Sequence, residues 1–192
     1  MALVSNWGLR YVNPYRVRSG RSINISENEN LGRIATGLNA QRWEFTIGLE
    51  PTMEGAIDFF LDMAENDDLT PFTIPVRQIP GAGDAPSASI NASIAQGATA
   101  AVVRSSDRGN VGNPKGRFFT FAGDKKLYVI KSYDRNGGNL IIFPQARMNL
   151  NNVRLNFNPE VEVYFSRNFN KSLEYNDRSA LSRVTMEVVE NV

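Results

Sequence analysis

The sequence contains no histidine and no cysteine among its 192 residues. Without cysteine, disulfides and thiolate metal sites are excluded. Without histidine, the chain lacks the side chain best suited to proton transfer near neutral pH, which excludes Ser–His–Asp, Cys–His and histidine-ligated metal chemistries. Carboxylate chemistry, a lysine or tyrosine base and an oxygen-ligated hard cation remain compatible with the composition. We expect no cofactor, no metal site and no enzymatic activity.

The chain also has little net charge and no long apolar run. Its 21 basic and 20 acidic residues leave a formal charge of +1, which argues against a dedicated binder of nucleic acid or of membrane surfaces. Met1–Val12 has no apolar core long enough for a signal peptide, and no segment approaches the length of a membrane span. We therefore expect a protein made in a cytoplasm that remains there or in an assembly built there.

What is present is a β-rich pattern with one helix. Residues 42–49 alternate between polar and apolar, which predicts a half-buried strand. Apolar residues then recur at helical spacing from Met53 to about Glu65, and Thr52 before them is a residue type that caps helix N-termini. Pro71–Val76 predicts a short extended segment at a sheet edge, because proline is tolerated there. About ten short strands and one helix favour a mainly β fold, a split barrel or sandwich with the amphipathic helix plugging one end.

The second half predicts mostly strands and turns. Asn136–Asn139 is a strong hairpin signal between two strands. Val153–Phe157 and Val161–Phe165, joined by the turn Asn158-Pro159, predict a further hairpin. A closing strand ends at Glu190 and directs alternate apolar residues to one face. We expect a single domain over 1–192, interrupted by a flexible inserted arm at about 79–115.

Several motifs suggest chemistry weakly. The glycine-rich Gly81–Asp84 lacks the Lys and Ser/Thr of a phosphate-binding loop, so a connector is favoured. The carboxylate pairs Glu160/Glu162 and Asp58/Asp62 fit the solvent faces of amphipathic elements better than a hydrolase site. The Asn-rich stretch 148–152 fits turn chemistry better than sugar binding. In Arg117–Phe121 the phenylalanines alternate, which favours a strand buried on both faces over nucleic-acid stacking.

A series of short motifs, in order, resembles the distal-tail and tail-tip proteins of tailed bacteriophages. The resemblance covers roughly Trp43 to Phe165 and rests on the order of the motifs more than on any one of them. The matching segments are the Arg-Trp strand Arg42–Ile47, the helix Glu54–Glu65, the edge Pro71–Pro75, the pair Lys115–Phe119 and Lys126–Ile130, and the ending Ile142–Arg147.

This resemblance implies a split β-barrel of the tail-tube type that assembles as a ring, usually a hexamer, around the tail channel. The implied partners are further copies of the chain, the tail tube protein and the baseplate hub or tail-tip proteins, with the tape measure as an additional candidate. No specific nucleic-acid or membrane partner is implied. The implied location is the tail or baseplate of the virion, assembled in the host cytoplasm.

A ring needs two different complementary patches on each subunit. The basic start of the chain and an acidic helix face are the candidates for one such pair; a solvated strand face is the simpler explanation of the basic residues. The candidate contacts are Arg10, Arg16, Arg18 and Arg21 on the basic side and Asp58, Asp62, Asp67 and Asp68 on the acidic side.

Three alternatives remain open at this stage. A tail terminator or tube-initiator ring is the nearest, since a single sequence barely separates it from a hub ring. A β-sandwich carbohydrate-binding module would use exposed aromatics, for which Trp7, Tyr11 and Tyr15 are the candidates. A two-carboxylate hydrolase would depend on Glu160 and Glu162.

Overall fold

The computed structural model describes residues 9–27, 33–51, 61, 71–166 and 184–191, with side chains described over 15–20 and 41–50 in the first two strands. These residues form a mainly β protein. Its strands are β1 Leu9–Glu27, β2 Arg33–Pro51, β3 Phe72–Pro75, β4 Asn91–Ile94, β5 Ala100–Val103, β6 Phe118–Phe121, β7 Tyr128–Asp134, β8 Asn139–Phe143, β9 Leu150–Asn156, β10 Glu160–Phe165 and β11 Val184–Glu190. A short 3₁₀ helix, Ser105–Asn110, follows β5.

The chain divides into two compact units. The first, here called the sheet unit, comprises Met1–Ile74 and Glu162–Val192; the second, the barrel unit, comprises Pro75–Val161. Every residue of the barrel unit is described. Each unit is considered by itself below.

The sheet unit is built on a five-stranded sheet in the order β1-β2-β11-β10-β3. The alternation predicted for 42–49 is confirmed, because Trp43, Phe45, Ile47 and Leu49 are all buried on one face of β2. Their partners across the ladder continue this face: Met186 pairs with Ile47 and Val188 with Phe45. The predicted edge segment is confirmed as well, since β3 is the last strand of the order.

The strands β1 and β2 form an antiparallel hairpin of 19 residues on each side. Two register shifts interrupt it, one between Val12 and Tyr15 and one between Arg21 and Ile23. The first shift contains Pro14, which has no backbone N–H for a ladder and is accommodated where the pairing is broken. Among the described strands, β11 pairs with β2 along Glu44–Leu49, so the hairpin extends past the described part of β11.

The barrel unit is a closed six-stranded antiparallel barrel in the order β4-β5-β8-β7-β6-β9, with β9 returning to β4. Its interior is apolar and includes a cluster of aromatic rings. The ring of Phe119 lies 5.2 Å from that of Phe121, 5.7 Å from Tyr128 and 5.9 Å from Phe157. All four residues of β6 are buried, which confirms the prediction of a strand buried on both faces.

The hairpin predicted for Val153–Phe157 and Val161–Phe165 is wrong. The strand β9 pairs with β4 and β6, so both of its edges are occupied within the barrel. The strand β10 pairs with β11 in the five-stranded sheet instead. The turn at Asn158-Pro159 therefore redirects the chain from one sheet to another.

Two further predictions concern the middle of the chain. Within 79–115, the range expected to form an inserted arm, the structure has the barrel strands β4 and β5 and the 3₁₀ helix. The amphipathic helix predicted from Met53 to Glu65 lies outside the described residues apart from Leu61, which is helical and exposed. Among the residues that are described, no helix is long and apolar enough to cross a membrane.

Candidate interaction surfaces

The first candidate surface is the free edge of β1. This strand lies at the end of the five-strand order and pairs on one side with β2, and no described strand pairs with its other side. A free edge presents a row of backbone N–H and C=O groups that can pair with another chain. The opposite end of the sheet differs, because β3 has four residues and ends in a proline. Short edge strands and proline both protect against pairing, whereas β1 is long.

All four basic candidates lie on β1. Arg10 pairs with Glu50, Arg16 with Thr46, Arg18 with Glu44 and Arg21 with Gln41. The side chains of Arg16 and Arg18 are exposed.

Glu44 holds one of these arginines in place. The Arg18 guanidinium donates to the Glu44 carboxylate, and the Arg18 side chain is 82% exposed. The Glu44 side chain lies over Gly20, where a Cβ atom would collide with it. Glycine at this position therefore lets the carboxylate reach the arginine.

The structure describes only some of the other residues that the sequence suggested as contact or binding residues. Asp58, Asp62, Asp67 and Asp68 lie outside the described residues, as does Trp7. Tyr11 pairs with Leu49 and Tyr15 with Ile47, and Tyr15 is half-buried. The structure thus places the basic half of the expected complementary pair on a free edge.

The two units differ in net charge. The barrel unit has eleven Lys and Arg against five Asp and Glu, a formal charge of +6. The sheet unit has ten against fifteen, a charge of −5. The near-neutral total of the chain therefore conceals a strong division of charge. The sequence contains this signal, but the counts require the unit boundaries at 74/75 and 161/162.

A basic cluster surrounds the connection from β6 to β7. Asp124 in this connection is fully buried, and Arg147 Nε donates to its Oδ1 at 2.8 Å. The backbone N–H of Lys126 donates to the same oxygen at 3.1 Å, and Tyr128 donates its hydroxyl to Oδ2 at 2.7 Å. Burial and then the hydrogen bond to Asp124 raise the pKa of Tyr128 well above its usual value.

Two more cations lie at the rim of this network. Lys125 follows Asp124 in the chain and is exposed, and Arg154 on β9 is exposed as well. The backbone carbonyl of Arg154 accepts the N–H of Ala122 at 2.9 Å, which holds β9 against the start of the connection. Both Asp124 oxygens accept hydrogen bonds inside the protein, from Arg147, Lys126 and Tyr128.

Another polar side chain of the barrel unit closes a gap in its backbone pairing. Gln78 Nε2 donates to the carbonyls of Phe118 at 2.9 Å and Phe157 at 2.8 Å, and Gln78 Oε1 accepts the Phe118 N–H at 2.8 Å. The side-chain amide thereby acts as one residue of a ladder and satisfies the N–H and C=O of Phe118 and the C=O of Phe157. Sequence reasoning missed this residue, since a lone glutamine beside Pro80 gives no pattern.

The weaker chemical motifs have structural explanations. The Gly83 N–H donates to the Lys115 carbonyl at 2.8 Å and its own carbonyl accepts Arg117 Nε at 2.6 Å, so Gly81–Asp84 is a tied loop. The turn expected over 148–152 is wrong for its second half, because residues 150–152 belong to β9; Asn152 nevertheless has a positive φ of 51°, which asparagine tolerates. Glu160 is exposed, and Glu162 accepts a hydrogen bond from Asn191. Across the described residues, no group of three or more Asp and Glu could hold a metal ion.

The chain matches no protein-family model and no curated protein sequence. Two features of the structure bear on function: the long edge of β1, which no described strand pairs with, and the difference in net charge between the two units.

Proposed function

We propose that this chain is a structural subunit of a phage particle that forms a ring at the distal end of the tail and joins the tail tube to the baseplate or tip hub. The observation that carries the proposal is the outer edge of β1, 19 residues long and paired with no described strand, in a sheet whose other end is short and protected. A strand of this length left open invites pairing with other chains. A closed assembly would occupy that edge with a neighbouring chain.

Two other features support a role in assembly. The exposed Arg16 and Arg18 on β1 can orient a neighbour through charge, and they would oppose pairing of two β1 strands with each other. Rings use unlike patches on each subunit, and a strand that repels its own copy favours such a head-to-tail arrangement. The order of tail-tip-like motifs from Trp43 to Phe165 supports a location in the tail.

The proposal is tested by electron microscopy and native mass spectrometry of the purified full chain. We expect closed rings with a central channel and a mass that is an integer multiple, six being the favoured number, of the 21.4 kDa chain. A protein that stays monomeric at every concentration and in the presence of tail tubes would contradict it.

The position in the tail needs a separate experiment. An antibody raised against the purified chain should label phage particles at the end of the tail distant from the head. Label at the head-proximal end would favour the tail terminator, and particles without any label would exclude a virion component.

A further inference from the structure

The connection between β7 and β8 contains an asparagine followed by a glycine, Asn136-Gly137. Both residues are exposed, and no other asparagine of the sequence precedes a glycine. The side-chain amide of an asparagine can be attacked by the backbone nitrogen of the residue that follows it. Glycine permits this attack most readily, because it has no side chain and the least restricted backbone. The turn is therefore the place in the sequence where this reaction meets the least steric resistance.

The reaction needs no reagent other than water. The Gly137 nitrogen gives up its proton to a solvent base and bonds to Cγ of Asn136, while the Cγ–Nδ2 bond breaks and Nδ2 leaves as ammonia. The product is a cyclic imide. Water then opens the ring at either carbonyl and yields aspartate or isoaspartate. The sum of both steps consumes water, releases ammonia and replaces a neutral amide by a carboxylate, and its first requirement is loss of the Gly137 N–H proton.

The carboxylate of Asp134 holds both backbone N–H groups of this pair. The Asn136 N–H donates to Asp134 Oδ1 at 3.0 Å, and the Gly137 N–H donates to Asp134 Oδ2 at 3.1 Å. The Gly138 N–H donates to the Asp134 backbone carbonyl at 2.8 Å and closes the turn. A hydrogen bond to the neutral N–H and a negative charge beside it both disfavour the deprotonated nitrogen. Asp134 therefore opposes the first step of the cyclisation.

The carboxylate reaches Gly137 for the same reason that this glycine is reactive. A Cβ atom at this position would stand 2.5 Å from Asp134 Oδ2 and 2.7 Å from Asn139 Nδ2, so glycine is what leaves room for both. Arg108 of the 3₁₀ helix acts in the opposite sense, since its Nη1 donates to the Asn136 carbonyl at 3.3 Å. A deprotonated Gly137 nitrogen shares its negative charge with that oxygen, and a cation stabilises it. Because Asp134 bonds the reacting N–H directly, we expect its effect to be the larger one.

We infer that Asn136 is a deamidation site of this protein and that Asp134 protects it in the folded state. The inference concerns the barrel unit and is independent of the ring function proposed above. Opening of the turn removes the protection and allows the cyclisation. The product adds a negative charge beside Asp134, and an isoaspartate lengthens the backbone between Asp134 and Asn139, which are paired across β7 and β8. Modification should therefore loosen this end of the hairpin.

Peptide mass mapping of the full chain, incubated at mildly alkaline pH, tests the inference. Deamidation at Asn136 is followed as the mass gained when an amide becomes an acid, and chromatography separates isoaspartate from aspartate. The folded chain should react at least about tenfold more slowly than the same chain unfolded in urea, since one pKa unit on the Gly137 nitrogen changes its deprotonated fraction about tenfold. Asp134→Ala should react at least about tenfold faster than the original folded chain for the same reason. Asp134→Asn, which keeps the size of the side chain and removes its charge, should also react faster.

Two further variants are the controls. Asp84→Ala removes an exposed carboxylate elsewhere on the barrel unit and should leave the rate at Asn136 unchanged. Gln78→Ala removes hydrogen bonds to Phe118 and Phe157 and leaves the turn intact. It lowers the stability of the barrel, and it should accelerate the reaction much less than Asp134→Ala does.

Each part of the inference has an outcome that would overturn it. The absence of deamidation at Asn136 in Asp134→Ala would refute the site itself. Equal rates in the folded and the unfolded original chain, or an unchanged rate in Asp134→Ala, would refute the protection. Equal acceleration by Gln78→Ala and Asp134→Ala would attribute the protection to the stability of the whole barrel and refute the role of Asp134. If Asp134→Ala does not fold, the rate of Asp134→Asn decides in the same way.

Discussion

The two units of this protein differ in whether their strand edges are paired. The barrel unit closes its six strands on themselves, so every strand has two neighbours and no edge is left. The sheet unit keeps two ends, one of them the long strand β1. The stability of a closed barrel depends on the packing of its own interior, whereas the outer strand of an open sheet can pair with another chain. Substitutions in the barrel should therefore change stability most, and substitutions along β1 should change assembly most.

The largest loss of stability is expected from Phe119→Ala. This ring is fully buried and contacts three other aromatic rings of the barrel core. Truncation should lower the free energy of unfolding by about 3–5 kcal/mol. Chemical denaturation measures it, and Val102→Ala, at a 49% exposed position on β5, is the control. A loss of under about 1 kcal/mol would mean that the barrel core is not packed as described.

A smaller loss is expected from Gln78→Ala. The substitution removes three hydrogen bonds and leaves buried backbone groups of β6 without partners. The free energy of unfolding should fall by about 1–3 kcal/mol. Gln145→Ala, at an exposed position of the same unit, should have little effect. Equal effects of the two variants would refute the role assigned to Gln78.

The third prediction concerns alkaline pH. The folded-state pKa of Tyr128 lies above its unfolded value of 10.0, so the neutral hydroxyl stabilises the fold fully below that pH. Stability should decline as the pH rises through and beyond about 10, and Tyr128→Phe should remove this part of the decline. At neutral pH the variant should lose about 1 kcal/mol. Urea denaturation at several pH values measures both effects, and Tyr164→Phe is the matched control.

The smallest effect on stability is expected from Arg18→Ala. Its partner is Glu44 and its side chain is largely exposed, so the free energy of unfolding should change by less than about 1 kcal/mol. Assembly should nevertheless weaken, because the substitution removes a charge beside the free edge. The control is Arg42→Ala, which also removes one positive charge but from the neighbouring strand β2. A strong loss of stability with unchanged assembly would contradict the expectation that substitutions along β1 change assembly more than stability.

Parts of this fold could be predicted because the pattern is local. The alternation from Trp43 to Leu49 and the position of β3 follow from apolar periodicity and proline chemistry. The burial of Phe118 opposite Phe119 could be predicted for the same reason.

Other parts depend on contacts distant in sequence. Nothing near Val153–Phe157 indicates that both edges of β9 are taken by strands about 35 and 60 residues earlier in the chain. The full length of β1 was also missed, because its bulge at Pro14 interrupts the alternation. The basic candidates were found as a cluster, but only the ladder places them on one edge strand.

The difference in net charge between the two units could not be predicted from the total charge of the chain. The near-neutral net charge of the whole chain argued against a dedicated binder of nucleic acid or of membrane surfaces, and it conceals units that carry +6 and −5. The net charge of a unit depends on which residues belong to it, and strand pairing between distant parts of the chain decides which residues those are. The neutral total therefore describes the net charge of neither unit.

Hydrogen exchange along β1 tests the central proposal most directly. From Tyr15 to Arg21 the pairing with β2 is regular, so every second amide faces the free edge. In the unassembled chain these alternate amides should exchange rapidly while their neighbours are protected. In the assembled particle they should become protected, and the exchange of the barrel amides should stay unchanged. Alternate amides that exchange equally fast before and after assembly would contradict the proposal that a neighbour pairs with this edge.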